Sequence, residues 1–261
     1  MSVLNHLKDT SSELVLSETE KSSINTSIST LRARLNDWFG SSSIVQLKFG
    51  SSTRGTILPR KADEKSDIDY MIIFNNDASY KPQTFIDRLR KFAENKYTTS
   101  QIAQSHPTVV LSLNHIKFDL VPAYESWGTK YIPAPKSDYT DWISTSPNDF
   151  NKELTDKNDA NYSLIKPMIR LVKYWNAQNG YVYNSFELEK SLVANSYWAC
   201  YNLKDYFFSA IDDLSSWNLP QYKKDKVQRA KDIVIATKEY EQDNYPYAAE
   251  SEIKKLIPEI Y

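Results

Sequence analysis

The stretch that decides the fold is residues 49–69, FGSSTRGTILPRKADEKSDID. It opens on a Gly-Ser pair, Gly50 and Ser51, and closes on two aspartates two residues apart, Asp67 and Asp69. A Gly-Ser turn suits phosphate, because glycine lets the backbone approach a ligand closely and a helix start attracts anions. Paired aspartates suggest a metal ion. Whether the two ends of the stretch form one site depends on the elements that carry them.

The residues around this stretch predict a strand–turn–helix–strand order. Residues 44–49, IVQLKF, alternate as a strand does, and the residues after the Gly-Ser pair indicate the start of a short helix. Residues 67–74, DIDYMIIF, predict a second strand, whose side chains point alternately to its two faces. Asp67 and Asp69 therefore share one face, with Cα atoms roughly 6.6 Å apart.

A third acid is expected on a neighbouring strand. Residues 108–113 and 116–123 predict two strands joined by a hairpin turn at Asn114-His115. Asp119 lies on the polar face of the second strand. Three carboxylates are the all-oxygen ligands that magnesium prefers. Acids at a strand end are more often solvated or paired with lysines, but the Gly-Ser turn and Asp119 favour a metal site here.

The remaining chain predicts an N-terminal α/β half and a C-terminal helical half. Ser17 and Glu20 have capping-box spacing, which predicts a helix over 18–39 that ends at Gly40. Residues 125–160, rich in Pro, Ser, Asn and Asp, are expected to form an irregular connection. Further helices are predicted at 82–96, 163–178, 185–203, 204–215 and 223–242. The expected domains are residues 1–160 and 161–261.

The C-terminal half carries a basic stripe. Lys166, Arg170 and Lys173 follow i, i+4, i+7 spacing on one predicted helix. Such a stripe is usually a solvated face, but the apolar residues of this helix favour at least one cation pointing into a cleft. In the next segment, NSFELE, Ser185 is expected to cap a helix and Phe186 to be a core residue.

Composition excludes several classes of protein. The 261 residues include 32 basic and 33 acidic ones, a net charge of -1, which favours a small substrate over a long nucleic acid. No apolar run approaches the roughly 20 residues needed to span a membrane, and no secretory signal is recognisable. A single cysteine, Cys200, excludes an internal disulfide and a multi-cysteine zinc site. We therefore expect a cytoplasmic protein.

Together, these motifs resemble the DNA polymerase β-like nucleotidyltransferase superfamily, whose signature is G-S, then D-x-D, then a later acid on a strand. Within it the chain is most similar to the bacterial cGAS/DncV-like nucleotidyltransferases, which make cyclic di- and oligonucleotide second messengers in anti-phage systems. The similarity rests on GSSTRGT (50–56), SDID (66–69), KPMIRLVKYWN (166–176) and NSFELE (184–189). It implies an α+β fold, a mixed-sheet core with an N-terminal spine helix packed on a helical domain.

The resemblance also implies a role for each acid. Asp67 and Asp69 would hold two Mg²⁺ or Mn²⁺ ions. Asp119 would complete the metal site that activates the attacking hydroxyl, so all three would be catalytic. All three acids are present, which favours an active enzyme.

For nucleotide binding, the resemblance implies that Gly50 and Ser51 grip the triphosphate of an NTP. Lys173 and Ser185 would contact its phosphates, and Phe186 would lie against the base. The expected substrates are ATP together with a second NTP, GTP or a pyrimidine nucleotide.

The expected activity is the joining of NTPs into a cyclic messenger with release of pyrophosphate. Animal DNA-sensing members carry a zinc module of clustered cysteines and histidines. This chain has one cysteine and three scattered histidines, His6, His106 and His115, which excludes such a module. We expect a monomer that can take regulatory partner proteins. Two alternatives stay open: transfer of a nucleotide to an RNA end, a protein or a small molecule, and a non-catalytic nucleotide-binding module.

Overall fold

The computed structural model describes residues 2–76, 79–105, 107–135 and 140–260. His106 therefore lies outside the described residues. The helices in the described part are α1 (Val3–Glu13), α2 (Glu18–Phe39), α3 (Ser51–Arg54), α4 (Pro82–Lys96), α5 (Asp149–Asp159), α6 (Ile165–Gln178), α7 (Ser185–Ala194), α8 (Leu203–Asp212), α9 (Gln221–Gln242) and α10 (Pro246–Leu256). The strands are β1 (Ile44–Phe49), β2 (Asp67–Phe74), β3 (Gln101–Ser105), β4 (Thr108–Ser112), β5 (Lys117–Ser126), β6 (Thr129–Pro133) and β7 (Trp142–Thr145).

The chain forms two compact units, and each is assembled from separate segments. The sheet unit comprises Ser17–Gly55 and Lys65–Asn151. The helical unit comprises Met1–Leu16, Thr56–Glu64 and Lys152–Tyr261. The predicted domains, residues 1–160 and 161–261, are in contrast each continuous in sequence. The division of the chain into those two domains stays a prediction.

The sheet unit contains a mixed sheet with the order β1-β2-β5-β4-β3. β2 and β5 are parallel, whereas β1 and β4 pair antiparallel with them. β6 pairs with the far end of β5, and β7 pairs with β6. The parallel pair is the part of the sheet that carries the predicted acids.

The two faces of β2 have different surroundings, as its alternating sequence predicts. On one face, Phe74 stacks on Phe85 of α4 with ring centroids 5.0 Å apart, so α4 covers this face. On the other face, Met71 and Ile73 belong to an apolar cluster with Leu47, Phe49, Ala123 and Ile132. The aspartates of β2 share this second face.

α6 provides much of the core of the helical unit. Its buried side chains include Met168, Leu171 and Trp175. α1, α7 and α8 pack against it, and α9 packs along α10. None of the described helices combines the length and the apolar character needed to cross a bilayer.

Several predicted elements are confirmed. α2 spans residues 18–39, and Ser17 and Glu20 form a complete capping box at its start. β1, β2 and α4 occupy the predicted residues. Two strands also form at the predicted hairpin, β4 and β5.

Three predictions in the second half are wrong. Residues 125–160 are not irregular, since they contain all of α5, β6 and β7. α7 ends at Ala194, before residue 203, because Asn195 adopts an extended backbone conformation. Asn184, and not Ser185, caps α7, since its side chain accepts hydrogen bonds from the N–H groups of Phe186 and Glu187.

Candidate active site

The sheet register brings the three predicted acids together. Asp69 on β2 is the direct neighbour of Asp119 on β5, and Asp67 is the neighbour of Lys117. Because paired residues of adjacent strands point to the same face, all three carboxylates lie on one side of the sheet. Neighbouring strands lie about 4.8 Å apart. The structure therefore places Asp67, Asp69 and Asp119 side by side in the sheet unit.

The Gly-Ser turn lies directly against one of these acids. Phe49, the last residue of β1, pairs with Asp69, so the chain turns at Gly50 beside that carboxylate. A Cβ atom on Gly50 would stand 1.7 Å from Asp69 Oδ2. Gly50 also has φ +76°, a conformation that side chains disfavour. Glycine is required here both for space and for backbone conformation.

A chain of hydrogen bonds holds this turn. Thr53 Oγ1 donates to the carbonyl of Gly50 at 2.8 Å, and Asn151 Nδ2 donates to Thr53 Oγ1 at 3.2 Å. Ser52 Oγ donates to the carbonyl of Phe49 at 3.2 Å. The turn is thus fixed by side chains before any ligand arrives, which reduces the cost of ordering it on binding. Sequence reasoning did not find Thr53 or Asn151, because Asn151 lies about 100 residues away in a segment expected to be irregular.

The environment of Asp119 disfavours its charge. Burial raises the pKa of the Asp119 carboxyl above its ordinary value, and the nearby Lys117 opposes this only in part. An acid whose pKa is raised by folding stabilises the fold below its unfolded pKa. That contribution is lost as the pH rises through the folded value.

We therefore expect Asp119→Asn to raise the melting temperature at pH 7 in metal-free buffer containing a chelator. The reason is that asparagine removes a charge that the fold disfavours. Near pH 3.5, where the carboxyl is mostly protonated in both states, parent and variant should melt nearly alike. Thermal melts at pH 7 and pH 3.5 measure the difference. A variant that is less stable than the parent at pH 7 would contradict the burial argument.

The acids fit a hard divalent ion in their chemistry, and the sheet register places them on one face. They offer carboxylate oxygens alone, the ligands that magnesium and manganese accept. In the described residues, however, no three His, Cys, Asp or Glu side chains are gathered closely enough to hold an ion. Asp69 and Asp119 nevertheless lie directly opposite each other in the sheet. Magnesium also keeps water and substrate phosphate among its ligands, so it does not need a complete protein cage.

The predicted nucleotide-binding residues of the helical unit have different environments. Lys173 is 6% exposed, and its ammonium contacts Glu189. Ser185 is half-buried at the first position of α7. Phe186 is 43% exposed, which makes it a surface residue and not the core residue that its pattern predicted. In the basic stripe, Lys166 and Arg170 are half-buried.

Comparisons with known proteins agree with this architecture. The family described as "Second Messenger Oligonucleotide or Dinucleotide Synthetase domain" matches residues 1–158. No curated protein sequence matches the chain.

Solved structures of bacterial enzymes share the fold along almost the whole chain. CdnC of E. coli MS115-1 with ATP has a TM-score of 0.72 at 14% identity, covering 100% of this chain and 99% of its own. DncV of Vibrio cholerae, solved with a linear intermediate, 5′ pppA(3′,5′)pG, has a TM-score of 0.75 at 11% identity. The match covers 95% of this chain and 93% of the DncV chain. CdnG of Bradyrhizobium diazoefficiens, solved with GTP, has a TM-score of 0.68 at 11% identity. The match covers 96% of this chain and 97% of the CdnG chain.

A mixed sheet with a Gly-Ser turn beside Asp69, and with Asp69 in register with Asp119, is the architecture of a DNA polymerase β-like nucleotidyltransferase, and the expected α+β fold is confirmed. The family match covers more than half of the chain. The chain therefore belongs to the Second Messenger Oligonucleotide or Dinucleotide Synthetase family. It is a cGAS/DncV-like nucleotidyltransferase, an enzyme that synthesises cyclic oligonucleotides.

Proposed function

We propose that this enzyme joins NTPs, with the help of divalent metal ions, into a cyclic di- or oligonucleotide second messenger and releases pyrophosphate. The observation that carries this proposal is the contact between Gly50 and Asp69, together with the pairing of Asp69 and Asp119. A phosphate-binding turn thereby lies against the acids that would serve a reacting α-phosphate. Both parts lie within the sheet unit.

Each part of this site has a distinct chemical task. Asp67, Asp69 and Asp119 would hold two Mg²⁺ or Mn²⁺ ions. When bound, such ions lower the pKa of an attacking ribose hydroxyl and neutralise charge on the α-phosphate and pyrophosphate. Gly50 and Ser51 would bind the triphosphate through backbone N–H groups and the Ser51 hydroxyl. By family resemblance, we also assign nucleotide contacts to Lys173, Ser185 and Phe186.

The solved relatives support NTP substrates. CdnC was solved with ATP and CdnG with GTP. We propose ATP and one further NTP, GTP or a pyrimidine nucleotide, as substrates here. CdnC was also solved in a complex with a HORMA protein, at 16% identity to this chain. That complex supports a regulatory partner protein here, and we further propose a monomeric, cytoplasmic enzyme that acts in anti-phage defence.

The experiment is to incubate the pure protein with each α-³²P-labelled NTP, singly and in pairs, with Mg²⁺ or Mn²⁺. We expect pyrophosphate release and a small labelled product that resists phosphatase, because a ring has no terminal phosphate. A chelator should abolish both. The absence of pyrophosphate under every condition would refute the proposal.

The same experiment separates the alternatives. Transfer to an RNA end or to a protein would place the label in a macromolecule. If the nucleotide is transferred to a small acceptor, pyrophosphate will be released only when that acceptor is present. A binding module would retain labelled NTP without turnover.

A further inference from the structure

Lys117 shares a sheet face with the three acids of the candidate active site. In the register of β2 and β5, Lys117 is the direct neighbour of Asp67, and it lies two residues before Asp119 on its own strand. Paired residues and alternate residues point to the same face, so the ammonium projects from the face that carries the carboxylates. The Gly-Ser and D-x-D motifs do not include this residue.

The charge of Lys117 has no partner within the sheet. The residue is half-buried, and its ammonium forms neither a hydrogen bond nor an ion pair with any residue that the structure describes. Its attraction for Asp119 is purely electrostatic, and it offsets the effect of burial on the pKa of that carboxyl only in part. A lysine ammonium has three N–H donors, and all three are therefore available to a ligand.

The strand order places Lys117 and the Gly-Ser turn on opposite sides of the aspartates of β2. The turn follows β1, Asp67 and Asp69 lie on β2, and Lys117 lies on β5, in the sheet order β1-β2-β5. Because neighbouring strands lie about 4.8 Å apart, β1 and β5 are separated by about 10 Å. Two groups that suit phosphate thus flank the paired aspartates.

The proposed reaction brings two sets of phosphates to this face. When one NTP attacks another, its hydroxyl loses a proton, the hydroxyl oxygen bonds to the α-phosphorus of the donor, and pyrophosphate leaves the donor. The attacking nucleotide keeps all its phosphates. The turn on β1 serves the donor, whereas Asp119 on β5 is assigned to the activation of the attacking hydroxyl. The attacking nucleotide is therefore expected on the β5 side, where Lys117 lies.

We propose that Lys117 is a substrate-binding residue that contacts the 5′-phosphates of the attacking nucleotide. A lysine ammonium binds phosphate as a compact point charge. The acids of the same face are already assigned to divalent ions, so the ammonium is left to bind an anion. This inference rests on the proposed function and adds to it a second phosphate-binding position.

The test uses one nucleotide that can only donate and one that can only accept. An α-³²P-labelled 2′,3′-dideoxy-NTP has no hydroxyl with which to attack. An α,β-methylene NTP can attack but cannot release pyrophosphate, and a nucleoside can attack but has no phosphate at all. With saturating Mg²⁺, each pair gives one linear dinucleotide, and its rate of formation gives the KM of donor and acceptor separately.

We expect Lys117→Met to raise the KM of the triphosphate acceptor about tenfold or more, as one lost charge-assisted hydrogen bond does. The KM of the donor should stay within about twofold of the parent, because the turn binds it independently. The nucleoside acceptor should react at similar rates with parent and variant. Lys117→Arg should recover most of the affinity, because it keeps the positive charge.

Lys48→Met is the matched control. Lys48 is also a half-buried lysine of this sheet, but it pairs with Tyr70 and so belongs to the opposite face. This variant should bind both nucleotides as the parent does. Melting temperatures establish that all the variants are folded under the assay conditions.

Three results would overturn the inference. They are an unchanged KM for the triphosphate acceptor in Lys117→Met, a raised KM for the donor, and an equal loss with the nucleoside acceptor. The last result would make Lys117 a general electrostatic partner of the acids. A parent protein that releases no pyrophosphate from ordinary NTPs would instead refute the proposed function.

Discussion

Replacing Asp69 with asparagine is expected to reduce pyrophosphate release by on the order of 1000-fold, the size of effect seen when one electrostatic partner of a transition state is removed. Asp69 has the central position among the acids, since it is paired in register with Asp119 and in contact with the Gly-Ser turn. Asparagine has nearly the same shape but lacks the negative charge that a divalent ion requires. The fold should therefore persist while turnover is lost.

The control for this change is Asp87→Asn, the same substitution on the exposed surface of α4 in the same unit. It should retain the parent rate. Circular dichroism and melting temperature establish that both variants are folded, and the initial rate of pyrophosphate release is the measurement. Full activity in both Asp67→Asn and Asp69→Asn would show that the assignment of the metal site is wrong.

Replacing Gly50 with alanine is expected to lower turnover by on the order of 100-fold, even though it removes no chemical group. The new Cβ would overlap the Asp69 carboxylate, so either the carboxylate or the turn must move by an ångström or more. Displacements of that size at a reacting centre typically cost about 100-fold in rate. Alanine at a positive φ also costs about 1–3 kcal/mol of stability.

Gly128 allows the steric effect to be separated from the backbone effect. It has φ +77°, close to the +76° of Gly50, but nothing lies within 4 Å of a Cβ built on it. Gly128→Ala should therefore lower the melting temperature while leaving the rate of pyrophosphate release near that of the parent. If both glycine variants lose activity equally, the loss does not come from the overlap with Asp69.

The parts of the fold that local patterns specify could be predicted from the sequence. The capping box of Ser17 and Glu20 determines where α2 begins, and strict alternation in β2 determines the face that Asp67 and Asp69 share. β6 and β7, in contrast, are short strands stabilised by pairing with each other and with β5. Strand formation in such segments depends on cross-strand neighbours more than on propensity, so residues 125–160 could not be read from composition.

The environment of Lys173 was beyond local reasoning for a similar reason. Its spacing with Lys166 and Arg170 describes one helix face but says nothing about an acid on the next helix. Glu189 lies 16 residues further on, and Thr56, whose carbonyl accepts a hydrogen bond from Lys173 Nζ, lies 117 residues earlier. The acids were easier to predict, since strand alternation alone fixes the face of Asp119.

The order of segments in the two units limits how the chain can be divided. It passes between them four times, after residues 16, 55, 64 and 151. A fragment covering only the family-matched residues 1–158 would retain α1 and residues 56–64 but lose α6, against which α1 packs. No single cut yields two intact modules. A chimera that exchanges the helical unit between two relatives would therefore have to take α1, residues 56–64 and the C-terminal helices from the same parent.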